Sequence, residues 1–220
     1  MDLADAARPA PRAPRMSGDQ RREQILAAAV EVLAEGGYAG TTTDQVARAA
    51  GVSQPYVVRL FGSKQRLFLE AYRHATERVL AAMSAVEPGP GAVERTGRAY
   101  VELMADRDLL RVLMHGFTAG DPEVTALARH TLGEVFRLFR ARVEPDDPDG
   151  DETARRFVAD GMLINVLLSS DGFAHAGEDP AFDALLRCFA PEVVAAGTAA
   201  TAGTGTAATA GPGTAAGATA

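Results

Sequence analysis

Hydrophobic residues recur every three or four positions along most of the 220-residue chain, and no stretch alternates convincingly between apolar and polar positions. Spacing of three to four residues predicts helices that each bury one face, whereas alternation would predict strands. Glycine and proline residues separate these helical stretches from one another. The pattern therefore predicts an all-α fold.

Two short helices joined by a tight turn are predicted for residues 41–64. Thr42 begins the first helix, and Gln45 is spaced to form a reciprocal capping box with it. Gly51 follows the last apolar position of this helix, where a left-handed backbone costs glycine nothing. Ser53 is then expected to cap the second helix. This arrangement is typical of a helix-turn-helix, although it also occurs in helical proteins that bind no DNA.

The second short helix is expected to bury one face and to leave the other free. Its apolar residues are spaced to pack inward, and we expect this of Val57, Val58 and Phe61. The opposite side would then present polar side chains. A free face of this kind can enter the major groove of DNA.

Residues 22–68 carry a resemblance to a known family. They run from ILAAAV through GGYAGTTTDQVARAAGVS to an FGSKQRLF ending, and in order and spacing they resemble the amino-terminal domain of the TetR family of transcriptional regulators. The resemblance implies a three-helix DNA-binding head and a larger helical body that dimerises and binds a small-molecule effector. Such a protein is most often a repressor. The chain departs from the family at Val58, where many members have a tyrosine that touches phosphate.

The resemblance assigns roles to the free face of the second short helix. Gln54 could pair with adenine, Arg59 with guanine, and Tyr56 with a phosphate or a thymine methyl group, while Thr43 and Lys64 would hold phosphates. The full set of predicted DNA contacts is Thr43, Ser53, Gln54, Pro55, Tyr56, Arg59, Leu60 and Lys64. The alternative is a helical ligand-binding or interaction module that no longer reads DNA.

The remaining helices are predicted from their apolar spacing and from the breaks between them. A first helix should run from Ser17 to about Glu35, and a long helix beginning at Ser63 should be shared by head and body. The predicted helices of the body cover approximately residues 63–86, 92–105, 108–119, 122–143, 152–176 and 180–193.

These boundaries divide the chain into a head at residues 16–66 and a body at residues 67–197. The flanking segments, residues 1–15 and 198–220, are rich in alanine, proline, glycine or threonine and have no periodicity that could bury a face. Their composition predicts disordered tails.

The last two body helices are unusually apolar. Residues 157–168 (FVADGMLINVLL) carry hydrophobic side chains on more than one face, so this helix needs packing partners on more than one side. A protein core or a second copy of the chain would supply them, and the resemblance implies a four-helix dimer interface. The predicted interface residues are Phe157, Gly161, Ile164, Leu168, Phe182, Leu185, Leu186 and Phe189.

An effector pocket in the body is implied by the resemblance. Large apolar side chains with a few polar ones suit a small-molecule cavity, but they equally suit an ordinary core. The candidate pocket residues are Met83, Met104, Met114, His115, Phe117, Phe136, Phe139, Met162 and Asn165.

Charge is distributed unevenly along the chain, which has a net charge of −7. Residues 16–66 contain six basic and five acidic residues, a net +1, whereas residues 67–197 contain thirteen basic and twenty-two acidic residues, a net −9. A weakly basic head on an acidic body can still bind DNA if the body stays away from the phosphates.

Other classes of protein are disfavoured by what the sequence lacks. The four histidines occur singly and no nucleophile or nucleotide-binding motif is present, so we expect no metal, no cofactor and no enzyme activity. No uninterrupted apolar run reaches about 18 residues, so no membrane span is expected. The single Cys188 excludes an internal disulfide and fits a reducing, cytoplasmic location. We expect it to be a small core residue.

Overall fold

The computed structural model describes residues 16–202, and these residues form ten α-helices and one short 3-10 helix, with no strand among them. The all-α prediction is confirmed. The helices are α1 (Gly18–Gly40), α2 (Thr43–Ala49), α3 (Gln54–Phe61), α4 (Lys64–Ser84), α5 (Ala92–Leu103), α6 (Arg107–Thr118), α7 (Pro122–Arg140), α8 (Gly150–Ser169), α9 (Pro180–Leu186) and α10 (Pro191–Ala202), with the 3-10 helix at Gly172–His175. The predicted tail at residues 1–15 and residues 203–220 of the other tail lie outside the described residues.

Helices α1, α2 and α3 form the head, and their boundaries follow from local capping. Ser17 and Thr42 each form the reciprocal capping box with the glutamine three residues later. Gly51 has φ 65°, the left-handed turn predicted between α2 and α3. Helix α1 continues past its predicted end because the chain kinks at Gly37, with φ 59°, and resumes helical hydrogen bonding to Gly40.

Helix α4 belongs to both head and body. Ser63 caps it by accepting a hydrogen bond from the Arg66 amide, and its buried face carries nine residues between Leu67 and Met83. It packs against α1 in the head and against α5, α6 and α7 in the body. Helix α4 therefore contacts both the head and the body.

Helices α4 and α6 approach each other closely at Gly116. A Cβ atom on Gly116 of α6 would lie 2.1 Å from the Tyr72 ring of α4, so a side chain there would overlap the ring. Tyr72 is 1% exposed, and its hydroxyl donates to the Leu113 carbonyl at 3.4 Å. Burial raises the pKa of Tyr72. The missing side chain at position 116 sets the spacing of these helices.

The carboxyl-terminal helices differ from the prediction. Helix α8 ends at Ser169 and does not continue to residue 176, because Asp171 takes a left-handed backbone with φ 53° before the 3-10 helix. The single helix predicted for residues 180–193 is two helices, since Pro191 lacks an amide donor and begins α10 instead. Helix α10 extends to Ala202, so residues 198–202 are helical and not part of a tail. Thr201 within this stretch is buried.

Replacing Gly116 by Ala should destabilise the fold by about 1–3 kcal/mol, because the new methyl group overpacks the Tyr72 ring. The matched control is Gly97→Ala in α5, where nothing lies within 4 Å of the added Cβ. That variant should gain about 0.5–1 kcal/mol of stability from helix propensity. Urea denaturation of both variants measures the difference, and equal effects would refute the close contact.

Candidate DNA-binding site

Helix α3 has one buried face and one free face. Val57 and Phe61 are buried, with exposures of 0% and 3%, while Pro55 and Arg59 are exposed. The prediction that Val58 also packs inward is wrong, because its side chain is 38% exposed. Successive residues of an α-helix point about 100° apart, and on α3 the buried side is centred on Val57 and Phe61, which leaves Val58 at its edge.

Gln54 and Thr43 are brought together at the starts of α3 and α2. The Gln54 amide Nε2 donates to the Thr43 hydroxyl at 3.2 Å, and both side chains are partly exposed. Ser53 occupies the N-cap position of α3, but its hydroxyl caps no amide of the helix. An exposed hydroxyl at a helix start is a group that can bind phosphate.

Arg59 and Tyr56 form a pair on the free face of α3. The guanidinium carbon of Arg59 lies 5.0 Å from the centre of the Tyr56 ring, a distance at which the ring attracts the cation. Arg59 makes no ion pair with any residue between 16 and 202. Leu60, also a predicted contact, is half-buried and packs against the core. Arg59 is therefore the α3 cation that remains available to a nucleic acid.

Lys64 lies in the first turn of α4, beside the end of α1. Its Nζ donates to the Ala39 carbonyl at 3.2 Å and lies 5.0 Å from the centre of the Tyr38 ring. Burial, and secondarily the charge of Asp121, raises the pKa of Tyr38. These contacts hold the ammonium group at the head. There it can give up its hydrogen bond to the Ala39 carbonyl and bind a phosphate instead.

Arg22 has a structural role that sequence reasoning missed. Its guanidinium pairs with the Glu70 carboxylate of α4 and lies 4.8 Å from the centre of the Phe61 ring. The side chain thus joins α1 to α3 and α4. Arg22 and Glu70 are far apart in the sequence, and no sequence pattern relates two such distant positions. The pair could therefore not be predicted from the sequence.

The body contains a small, partly open cavity of about 60 Å³. Of the predicted pocket residues, it is lined by Phe117, Met162 and Asn165. The other lining residues were not predicted and come from five helices, α4 to α8. They are Tyr72, Val79, Tyr100, Leu113, Thr131, Leu132, Val135, Phe157, Val158 and Gly161.

The polar groups of the cavity form one short network. The Tyr100 hydroxyl donates to Asn165 Oδ1 at 2.8 Å, and it lies 3.4 Å from the Gly161 carbonyl. The Asn165 side-chain nitrogen makes no hydrogen bond with any described residue. Burial raises the pKa of Tyr100 to about 12, although the hydrogen bond to Asn165 acts in the opposite direction.

Six predicted pocket residues lie outside this cavity. Met83 and Met104 are fully buried core residues, and Phe139 stacks on Phe157 with ring centres 3.8 Å apart. Phe136 is half-buried against the core. Met114 and His115 line a separate surface groove between α1, α6 and α8.

The predicted interface residues divide into buried and accessible groups. Ile164, Leu168 and Leu186 are at most 5% exposed, so they pack against other residues of the same chain. Leu185 is 44% exposed. The half-buried members are Phe157, Gly161, Phe182 and Phe189. Val166 of α8, which was not predicted, is 48% exposed.

Cys188 is exposed in the link between α9 and α10, so the prediction of a buried core residue is wrong. Helix α9 ends at Leu186, so Cys188 lies outside any helix. Within residues 16–202, no three metal-ligating side chains come together. None of the helices described has the length and apolar character needed to cross a bilayer.

Known proteins resemble both the head and the whole fold. Residues 25–71 match the family model "Bacterial regulatory proteins, tetR family". The transcriptional activator FasR of Mycolicibacterium smegmatis is 37% identical over 93 residues, which are 42% of this chain and 42% of FasR. The regulator TcmR of Streptomyces glaucescens is 26% identical over 192 residues, covering 79% of this chain and 84% of TcmR.

Solved structures show the same fold. A transcriptional regulator from Rhodococcus sp. Rha1 superposes with a TM-score of 0.63 at 22% identity, over 82% of this chain and 94% of that one. NalD of Pseudomonas aeruginosa, a repressor of a multidrug efflux pump, gives 0.53 at 19% identity, over 77% and 93%.

The capped α2, the left-handed turn and the free face of α3 define a helix-turn-helix DNA-binding protein. Residues 25–71 match the DNA-binding domain of the TetR family of transcriptional regulators, and the chain as a whole resembles transcriptional regulators in fold. Because its relatives are regulators, the prediction that the chain is not an enzyme is confirmed.

The raised pKa of Tyr100 should make stability depend on pH at the alkaline end. The folded state keeps a proton between pH 10 and about 12 that the unfolded chain releases, so this contribution is complete below pH 10 and is lost as the pH rises toward 12. Tyr100→Phe should flatten the slope of unfolding free energy against pH in this range by up to about 1.4 kcal/mol per unit. Urea titrations at several pH values measure it. With Tyr56→Phe as the control, an equal slope in both variants would contradict the assignment.

Proposed function

We propose that this protein is a homodimeric regulator that binds a palindromic operator and is released from it by a small-molecule effector. The observation that carries the proposal is the outer side of α3, where Arg59 is exposed and Gln54 and Tyr56 are partly exposed, while Val57 and Phe61 fix the helix to the head. A short helix anchored in this way can present side chains to base edges without reordering the backbone.

Base and phosphate contacts divide between different groups of the head. Gln54 suits adenine and Arg59 suits guanine, because each can make two hydrogen bonds in the major groove. Gln54 already donates one hydrogen to Thr43, which orients its amide. Phosphates would be held by Thr43, Ser53 and Lys64 around the starts of α2, α3 and α4.

Dimerisation through the carboxyl-terminal helices would present two such heads. Val166 and Leu185 are large hydrophobic residues exposed on α8 and α9, and burying them against a second copy would be favourable. Two symmetric heads require a palindrome, with half-sites about 34 to 36 Å apart or somewhat more.

The cavity supports release by an effector. At about 60 Å³ it is smaller than the roughly 300–1,000 Å³ of typical ligand sites, so a ligand must push its walls apart. Tyr72 and Val79 of α4 are among those walls, and the same helix carries Lys64 at its head end. A ligand that prefers the opened body would displace the heads, to an extent limited by its difference in affinity for the two states.

The lining indicates the chemistry of the effector. It carries no charged side chain, and the nitrogen of the Asn165 amide lacks a partner among the described residues. A mainly apolar, uncharged molecule with one hydrogen-bond acceptor would match these groups. We propose repression as the output, as in NalD, which is a repressor, although FasR is an activator. A reporter gene with the operator overlapping its promoter distinguishes the two.

Selection from random duplexes with the purified full-length chain tests the proposal. Enrichment of a palindrome is the expected result. Absence of any enriched sequence at low salt would contradict sequence-specific binding and would favour a helical ligand-binding or interaction module.

Lys64→Ala should weaken binding to all sequences uniformly. Each phosphate contact contributes about 0.9 to the slope of log affinity against log salt concentration, so the slope should become shallower by about two per dimer. Fluorescence anisotropy at several salt concentrations measures it. The matched control is Arg129→Ala, an exposed cation of the body, which should leave the slope unchanged. A wild-type slope for Lys64→Ala would remove this residue from the interface.

Arg59→Ala should relax base preference at one symmetric pair of positions. Loss of a bidentate contact to guanine costs about 1–3 kcal/mol per half-site. Binding measured on operators with each base at every position shows where discrimination is lost. Arg48→Ala serves as the control, because Arg48 pairs with Asp44 at 2.7 Å on the exposed side of α2. Uniform weakening by Arg59→Ala without loss of preference would reassign Arg59 to phosphate.

A further inference from the structure

Val58 is an exposed aliphatic residue of α3, between the partly exposed Gln54 and the exposed Arg59. Four large hydrophobic residues are exposed within residues 16–202, and Val58, at 38%, is the one that lies in α3. The inward face of the helix is already completed by Val57 and Phe61. Valine is also a weaker helix former than alanine or leucine. The Val58 side chain is therefore available to a partner of α3.

We infer that Val58 reads the 5-methyl group of a thymine, which makes it a specificity-determining residue of the operator contact. This inference rests on the proposed binding of α3 in the major groove. A valine side chain can neither donate nor accept a hydrogen bond, and the thymine methyl is the apolar group among the base edges of the major groove. Its χ1 angle is nearly fixed in a helix, so its methyl groups are presented with little loss of entropy.

The position of Val58 on α3 locates the thymine in the half-site. Val58 follows Gln54 by four residues, so the two side chains are neighbours one turn apart on the same side of the helix. One turn advances about 5.4 Å along the axis, and base pairs are stacked about 3.4 Å apart. The thymine should therefore lie within about two base pairs of the adenine that Gln54 reads.

Tyr56 is the other residue of α3 that could contact a thymine methyl group. It precedes Val58 by two residues and so points about 160° away around the helix. Its ring is partly covered by the Arg59 guanidinium, at 5.0 Å. Val58 has no such cover and is the more accessible apolar group for a methyl contact.

Uracil substitution tests the inference, because it removes the methyl group of thymine and nothing else. Each thymine of the selected operator is replaced symmetrically in both half-sites, and affinity is measured by fluorescence anisotropy for wild type and Val58→Ala. One symmetric pair should weaken wild-type binding by about fourfold per half-site, or about fifteenfold in total. Val58→Ala should show a similar loss on the thymine operator and no further loss on the uracil operator.

Two controls separate this contact from other effects. Val58→Thr keeps one methyl group and the branched shape, so it should retain part of the thymine preference. Arg129→Ala changes an exposed residue of the body and should change neither affinity.

The possible failures are distinguishable. If Val58→Ala keeps the full uracil penalty, or if no thymine shows one, the inference is overturned while operator binding stands. If selection enriches no sequence at all, the proposed function fails, and the role of Val58 fails with it.

Discussion

Helix α6 crosses α4 at a point where only a glycine fits, because the Tyr72 ring lies 2.1 Å from where a Cβ atom on Gly116 would be. This contact fixes the distance between α4 and α6, which have different roles in the structure. Helix α4 supplies both Lys64 beside the head and the Tyr72 wall of the body cavity. Helix α1 packs on both α4 and α6, so the head rests on the pair and not on one helix alone.

Polar contacts reinforce this junction. His115 of α6 has its Nε2 atom 3.2 Å from the Ala34 carbonyl of α1. Gln65 of α4 donates to the Asp121 carboxylate at 2.9 Å, and the same carboxylate caps α7. A change in the body that moves α6 or α7 would therefore act on both helices beneath the head.

The sequence was sufficient to predict the head because its rules are local. The capping boxes at Ser17 and Thr42 and the turn at Gly51 each depend on residues within four positions of one another. The predicted orientation of Val58 is wrong because two adjacent apolar residues compete for one buried face. Only tertiary packing decides which of them is buried. The sequence shows that Val57 and Val58 are both apolar, but it does not show which of them is buried.

In the body, local rules were less informative. The cavity is lined by residues from five helices, so the identity of these residues depends on how the helices cross. Met83 and Met104 were predicted to line a pocket but are core residues. The break at Pro191 was legible from the proline itself, yet the apolar spacing across it suggested continuity. Cys188 was predicted to be a core residue of that continuous helix, whereas it is exposed.

Base reading by the free face of α3 is tested most directly by a structure of the protein bound to a duplex enriched in the selection. We expect α3 in the major groove, with the Arg59 guanidinium about 2.7–3.2 Å from the acceptors of a guanine. A complex in which this face points away from the groove, or in which Gln54 and Arg59 contact only phosphates, would contradict it.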